Sequence, residues 1–339
     1  MTITRRRFTA GLAAGAATAL LPLRGRAAPR ELKISHQFPG GTLAEGDFRD
    51  RLCRHFAAEL EKRTGGAFSG TVYPSSSLMK TNAQFSALRK GALDLSLVPI
   101  SYAGGEVPEL NLGLMPGVVT SYEQGTAWKK AEVGKLFSDV LQEKGIVVVS
   151  WIWQAGGVAC RQTPIVEPAD AKGQKVRGGS REMDMVLKAA GAAVLSLPSN
   201  EIYQAMQTGA LDAAMTSSTS LISFRLEEVS KHLVTGRGKA YWFMLEPLIM
   251  SKLVFDGLPR EAQAAILAIG AELEAFGTEQ ARADDQAVAA AYAKVGAKTV
   301  DLGEATVKRW QAVAKDTAWK DFAARSDRCA KLLQFAEKA

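Results

Sequence analysis

Residues 73–94 read Tyr-Pro-Ser-Ser-Ser-Leu-Met-Lys-Thr-Asn-Ala-Gln-Phe-Ser-Ala-Leu-Arg-Lys-Gly-Ala-Leu-Asp, and residues 197–212 read Leu-Pro-Ser-Asn-Glu-Ile-Tyr-Gln-Ala-Met-Gln-Thr-Gly-Ala-Leu-Asp. In each, a strand runs into Pro-Ser and a helical stretch follows, with Phe85 and Leu88 in the first copy and Ile202 and Met206 in the second. Gly91 or Gly209 supplies a left-handed stop, and Leu-Asp opens another strand. A βαβ unit repeated in two halves of a chain predicts two α/β lobes of similar plan. Open sheets of this kind take ligands beyond the carboxyl ends of their strands, so the expected binding place is a cleft between the lobes.

The rest of the chain agrees with that plan. Its 339 residues, 47% of them hydrophobic, fit two lobes at about 150 residues per domain and exclude global disorder. Glu31–Ser35 reads as an opening strand, and His36-Gln37-Phe38-Pro39-Gly40-Gly41 as the loop at its carboxyl end. Phe48, Leu52, Phe56 and Leu60 form one apolar stripe of an amphipathic helix, which Thr64-Gly65-Gly66 ends. After Pro259, the stripe Ile266, Ile269, Leu273 and Phe276 continues through Tyr292 and Val295, predicting one long helix across both lobes. Val307, Trp310, Val313 and Trp319 should face inward on further helices.

Thr4-Arg5-Arg6-Arg7-Phe8 and the small, apolar residues up to Gly25-Arg26-Ala27 read as a twin-arginine export signal, residues 1–27. Removing it takes five arginines from the 42 basic residues and leaves 37 against 35 acidic ones. The basic surplus therefore belongs to the signal, and no run survives that would bind nucleic acid or an anionic membrane. No later apolar stretch reaches the roughly 20 residues of a membrane span, so the expected product is a soluble protein of the periplasm. Cys53, Cys160 and Cys329 are odd in number and far apart, which implies no disulfide framework.

No GxSxG, HExxH or P-loop occurs, and no GxGxxG follows a strand. The three histidines, His36, His55 and His232, are scattered, and neither a metal nor another cofactor is expected. The informative segment is Trp151–Ser180, where Lys175-Val176-Arg177 gives way to Gly178-Gly179-Ser180. Ser180 can cap a helix carrying Met183, Val186, Leu187 and Ala190, so a guanidinium stands beside a helix N-terminus, an arrangement suited to an anion. Arginine presents two parallel donors that match a carboxylate, a geometry lysine lacks. The alternative at this stage is that Arg177 pairs with an internal acid such as Asp170 or Glu182.

Asp170-Ala171-Lys172-Gly173-Gln174-Lys175-Val176-Arg177, then Gly191-Ala192, then Glu201-Ile202-Tyr203-Gln204-Ala205-Met206-Gln207-Thr208-Gly209-Ala210-Leu211-Asp212 resemble the DctP-type solute-binding proteins of tripartite ATP-independent periplasmic (TRAP) transporters. Glu61–Gly66, Tyr73-Pro74 and Gly91–Asp94 extend the likeness over nearly all of the mature chain. The resemblance implies an α/β, two-lobe periplasmic-binding-protein fold, type II-like, with an interlobe cleft, hinge-crossing strands and a long helix spanning both lobes. We expect residues 28–157 with about 243–281 in the first lobe, and 158–242 with about 282–339 in the second. The implied function is capture of an organic acid and its delivery to TRAP membrane permease subunits, without catalysis. A monomer is expected, since no long exposed apolar seam is evident.

The family's principal carboxylate-binding arginine falls on Arg177, and the resemblance places a second arginine at Arg161. After Asp212, many members carry a Glu-Asn pair where this chain has Met215-Thr216-Ser217-Ser218, which weakens a sialic-acid or ordinary dicarboxylate reading. Thr216 and Ser217 can still donate hydroxyl hydrogen bonds, and Met215 offers an adaptable apolar wall. Gln37, Phe38, Trp153 and Phe224 complete the candidate set, and the aromatic residues favour an acid with an apolar or aromatic body. Two rivals stand beside this reading. One is an exported enzyme using Glu201 with Tyr203, or His36 with Asp47, as acid and base. The other is a ligand-binding partner of a sensor kinase.

Overall fold

A computed structural model describes residues 29–339; the export signal expected at 1–27 lies outside the described residues. Two sheets carry the chain. The first runs Phe68–Tyr73, Arg30–His36, Leu95–Leu97, Leu248–Ser251, Ile146–Ser150 across its width. The second runs Lys298–Asp301, His232–Thr235, Trp153–Cys160, Ala213–Ser217, Lys175–Arg177, Ala193–Val194, with Phe243–Leu245 paired to the start of Trp153–Cys160.

The repeat seen in sequence is a repeat in space. Arg30–His36 lies between Phe68–Tyr73 and Leu95–Leu97, all parallel, and Lys175–Arg177 lies between Ala193–Val194 and Ala213–Ser217, again all parallel. In both lobes the third strand then pairs antiparallel with a strand arriving from elsewhere, Leu248–Ser251 in one and Trp153–Cys160 in the other. The two Gly-Ala-Leu-Asp segments perform the same three tasks. Gly91 and Gly209 turn at φ +69° and +77°, a conformation open to glycine at little cost, and Leu93 and Leu211 are buried. Asp94 Oδ2 accepts the Lys33 N–H at 2.7 Å and Asp212 Oδ2 accepts the Lys175 N–H at 2.8 Å, so each aspartate ties the third strand's entry to the first strand.

Phe48–Arg63 is a helix whose stripe Phe48, Leu52, Phe56 and Leu60 is buried. The helix Arg260–Lys294 has 35 residues, about 50 Å at the usual rise. It touches Phe48–Arg63 and Ile146–Ser150 at one end and Ser218–Ser223, His232–Thr235 and Lys298–Asp301 at the other, as one continuous brace for both lobes. Trp310 stacks on Tyr241 at 4.8 Å, and the Trp319 indole N–H donates to the Pro116 carbonyl at 2.7 Å. The tail, expected with the second lobe throughout, divides: Glu304–Ala314 packs on Arg181–Ala189, whereas Asp327–Ala336 lies on Glu132–Glu143 and Pro108–Leu114 of the first lobe. Cys329, Leu332, Leu333 and Ala336 bury its apolar face there. Cys53, Cys160 and Cys329 are all buried free thiols. No helix of the described residues is long and apolar enough to cross a membrane.

Candidate functional site

Lys175–Arg177 is a three-residue strand ended by Gly178 and Gly179, and Ser180 caps the helix Arg181–Ala189 by accepting the Met183 N–H at 3.0 Å. Gly179 holds φ +95°, and a Cβ there would lie 2.6 Å from Arg177 Nη1, so the turn must be glycine for the guanidinium to pass. Arg177 is 3% exposed. Its Nε donates to the Leu197 carbonyl at 3.0 Å, Nη1 to the Met215 carbonyl at 2.7 Å and Nη2 to the Tyr102 hydroxyl at 2.8 Å. Those three partners are neutral, and among the described residues no carboxylate forms an ion pair with Arg177. A guanidinium has five N–H groups, so one on each terminal nitrogen is left over. A buried cation without a counter-charge is costly, and a ligand carboxylate would both neutralise it and accept those two bonds.

Neither internal acid considered from sequence takes that place. Asp170 Oδ2 accepts the N–H groups of Val166 and Glu167, and Glu182 meets Arg181 at 3.3 Å. Asp184 lies near Arg177 but bonds to the Ser196 hydroxyl at 2.6 Å; burial pushes its carboxyl above the usual range, opposed by that bond and by the Arg177 charge.

Tyr102 belongs to the first lobe, in the turn Ile100–Ala103 that follows Leu95–Leu97. Its hydroxyl accepts both Arg177 Nη2 and the Ser199 N–H, the latter at 3.0 Å, so one phenol joins the lobes at the arginine. Ser101 adds a bond to the Gly179 carbonyl at 3.4 Å and Ser180 one to the Leu114 carbonyl at 3.1 Å. Beside Tyr102 opens a groove of about 320 Å³ whose lining includes Asn82, Ser101, Gly179, Asp184 and Pro198.

A second polar centre lies two residues further along the strand from Met215. Arg49, wholly buried, donates from Nε and Nη2 to the two oxygens of Asp47 at 2.9 and 2.7 Å. Its Nη1 reaches Glu246 at 3.2 Å, Ser220 at 3.0 Å and Ser217 at 3.4 Å, and its face lies 3.5 Å from the centre of the Phe38 ring. Burial alone would lower the Arg49 pKa, and the Asp47 and Glu246 charges outweigh it. Gln154 donates its amide to Glu246, whose own carboxyl burial pushes up to about 6. Near these groups the Gln37 amide, Thr216 Oγ1, Gln154 Oε1 and Glu246 Oε1 are buried without partners among the described residues.

The structure thus brings Arg177, Thr216, Ser217, Gln37 and Phe38 to the lobe-facing ends of the strands and separates the remaining candidates. Arg161 is not in the cleft. Its N–H bonds to the Asp212 carbonyl, at the start of Ala213–Ser217, and it lines a surface groove with Tyr203, Glu228 and Lys231 at the opposite end of the sheet. Trp153 packs edge to face on Trp128 at 5.0 Å, because a large indole gains more by filling the core. Met215 serves through its carbonyl, while its sulfur takes the Tyr241 hydroxyl at 3.3 Å. Phe224 is half-buried at the end of Ser218–Ser223, against both apolar cores. Nor are the enzyme pairs assembled: His36 bonds Asp50 at 3.0 Å, Asp47 is held by Arg49, and Tyr203 bonds Glu228 at 3.0 Å.

Sequence reasoning missed Tyr102, Arg49 and Glu246, and named Asp47 only as an acid–base partner of His36. The signal for Glu246 was present, as a lone acid in the apolar run 240–250, since burying a charge there requires a partner. Arg49 and Asp50 lie off the apolar stripe of their helix, yet both are fully buried.

Residues 40–326 match the family model for bacterial extracellular solute-binding protein, family 7. A solute-binding protein of Albidiferax ferrireducens is 67% identical over 307 residues, covering 91% of each chain. The C4-dicarboxylate-binding periplasmic protein DctP of Rhodobacter capsulatus is 26% identical and covers 92% of each. Among solved structures, a TRAP periplasmic solute-binding protein from Rhodoferax ferrireducens with bound malonate superposes with a TM-score of 0.90 at 67% identity, covering 91% of this chain and 97% of that one. These relatives are transport binding proteins rather than enzymes. The chain belongs to the family 7 bacterial extracellular solute-binding proteins, the DctP family.

Proposed function

We propose that this protein captures a small organic acid between its lobes by seating a carboxylate on Arg177, and hands the closed complex to the membrane permease subunits of a TRAP transporter. The observation that carries the reading is the Arg177 guanidinium, 3% exposed, held by three neutral oxygens, with two N–H groups left for a ligand. A charge-assisted hydrogen bond contributes about 1.5 to 3 kcal/mol, so a bidentate carboxylate supplies roughly 3 to 6 of the approximately 8 kcal/mol of a micromolar complex. Thr216 and Gln37, whose side-chain polar atoms have no partner among the described residues, offer polar contacts for the rest of the ligand, whereas the Ser217 hydroxyl is taken up by Ser220 and Arg49. Arg161 has no part in the site, and Trp153 and Phe224 supply packing.

Binding and closure are one event in this reading. Arg177 stands on the second lobe and Tyr102 on the first, so a ligand held in the closed form gains contacts that the open form lacks, and the equilibrium follows that difference. The moving bodies are the two lobes, with the tail from Asp327 onward riding on the first. Malonate in the 67%-identical relative supports a compact carboxylate over a bulky aromatic acid. Export by the twin-arginine route to the periplasm, and a monomeric state, complete the proposal.

Mass spectrometry of small molecules released from the purified protein, paired with a thermal-shift screen of organic acids, tests it. A copurifying carboxylic acid that raises the melting temperature is the expected outcome. A protein stabilised by neutral sugars or amines and by no acid would overturn it.

A further inference from the structure

Arg49 is a single cation facing two buried carboxyls. Asp47 takes it through both oxygens, whereas Glu246 receives one longer bond at 3.2 Å and keeps Oε1 unpartnered although the residue is fully buried. One guanidinium balances one carboxylate, so an ionised Glu246 is charge in excess. Among the described residues, the surroundings add no further cation in contact. Gln154 on the crossing strand donates one amide bond, Ser217, Ser220 and Ser223 crowd Arg49, and Asp284 on the long helix and Cys53 on the first helix bring only potential negative charge. Arg54 and His36 are committed to Asp50. Burial, incompletely offset by Arg49, places the Glu246 carboxyl at about 6.

The proposed carboxylate seat and the Arg49 centre hang on one strand, Ala213–Ser217. Met215, whose carbonyl holds Arg177, and Ser217, whose hydroxyl meets Arg49, are two residues apart on one strand, about 7 Å at the usual rise. An anion arriving at Arg177 therefore adds negative charge to the same water-poor interior, where charges are weakly screened.

We propose that Glu246 takes up a proton from solvent when an acid anion settles on Arg177, so that solute capture by this protein is proton-linked. The inference rests on the carboxylate reading above. The proton comes from buffer and ends on a Glu246 oxygen, and nothing else changes covalently. The complex then binds more protons than the free protein, so affinity weakens as pH rises from about 6 to 8.

Calorimetric titration of malonate and succinate at pH 6.5, in two buffers of different ionisation enthalpy, reads the proton directly. The expected result is uptake of about 0.3 to 0.6 proton per bound acid by wild type beyond that of Glu246→Gln, in which Arg49 keeps its Asp47 partner. Protons belonging to the ligand are common to both proteins and cancel. Equal uptake in the two proteins would overturn the proposal and move the proton to another acid, such as Asp184 beside Arg177. Should Glu246→Gln not fold, an unchanged wild-type affinity for succinate between pH 7 and 8, where the ligand stays fully ionised, overturns it instead. Absence of binding heat from these acids and from every acid of the thermal-shift screen removes the carboxylate reading, and this inference with it.

Discussion

Tyr102 carries more of the contact between the lobes than its half-buried position implies, because its one oxygen takes donors from Arg177 and from the Ser199 backbone. Tyr102→Phe should leave both lobes folded and weaken acid binding about 5- to 30-fold, as expected for the loss of one or two bonds of about 1 kcal/mol each. Unaltered affinity by calorimetry would show that the phenol is incidental. Arg177 was legible in sequence because a strand, two glycines and a capping serine fix both its location and its company. Arg161 was misplaced because the resemblance matched its place in the chain without fixing which end of a strand it occupies; it follows Cys160, beyond the end remote from the cleft. Arg49 escaped notice for a related reason: whether a charged helix face meets water or another lobe depends on a partner 168 residues away, Ser217.

Secondary elements were the most readable level. Helix Phe48–Arg63, the long helix and both Gly-Ala-Leu-Asp turns follow from local pattern, and the structure adds what the final aspartates do. Asp94→Ala and Asp212→Ala should each cost about 1 to 3 kcal/mol in urea unfolding, the range for a backbone N–H bound to a charged group. Because the two bonds lie in different sheets, the double variant should be close to the sum. Strong non-additivity would mean that the repeats do not act independently. The helix Arg181–Ala189 gives a pH-dependent case. Burial, opposed by its own backbone and by the charges of Arg181 and Arg325, pushes Glu182 up to about 7. A raised carboxyl makes the folded state bind its proton more tightly than the unfolded chain, so stability falls as pH climbs from about 4.5 through 7. Glu182→Gln should therefore melt higher than wild type at pH 8, and the advantage should shrink by pH 5. A gap independent of pH would contradict this.

At the scale of the whole molecule, two lobes of the same strand order face one another, braced by the long helix and joined at Arg177 by Tyr102 and at Arg49 by a row of serines. The repeat made the lobes predictable. The division of the tail was not, because the apolar faces of Glu304–Ala314 and Asp327–Ala336 look alike in sequence while their docking sites lie on different lobes. The aromatic ligand body expected from the aromatic residues loses the support of Trp153, which packs in the core against Trp128, since core and cleft compete for the same side chains. The proposed function seats the solute's carboxylate on the buried Arg177 guanidinium, and the most direct measurement of that proposal is calorimetric titration of malonate into wild type and Arg177→Gln, with melting curves recorded for both. The account predicts micromolar binding by wild type and a loss of at least 100-fold in the variant while it remains cooperatively folded, roughly the weight of one bidentate ion pair. Equal affinity in a folded Arg177→Gln would contradict it.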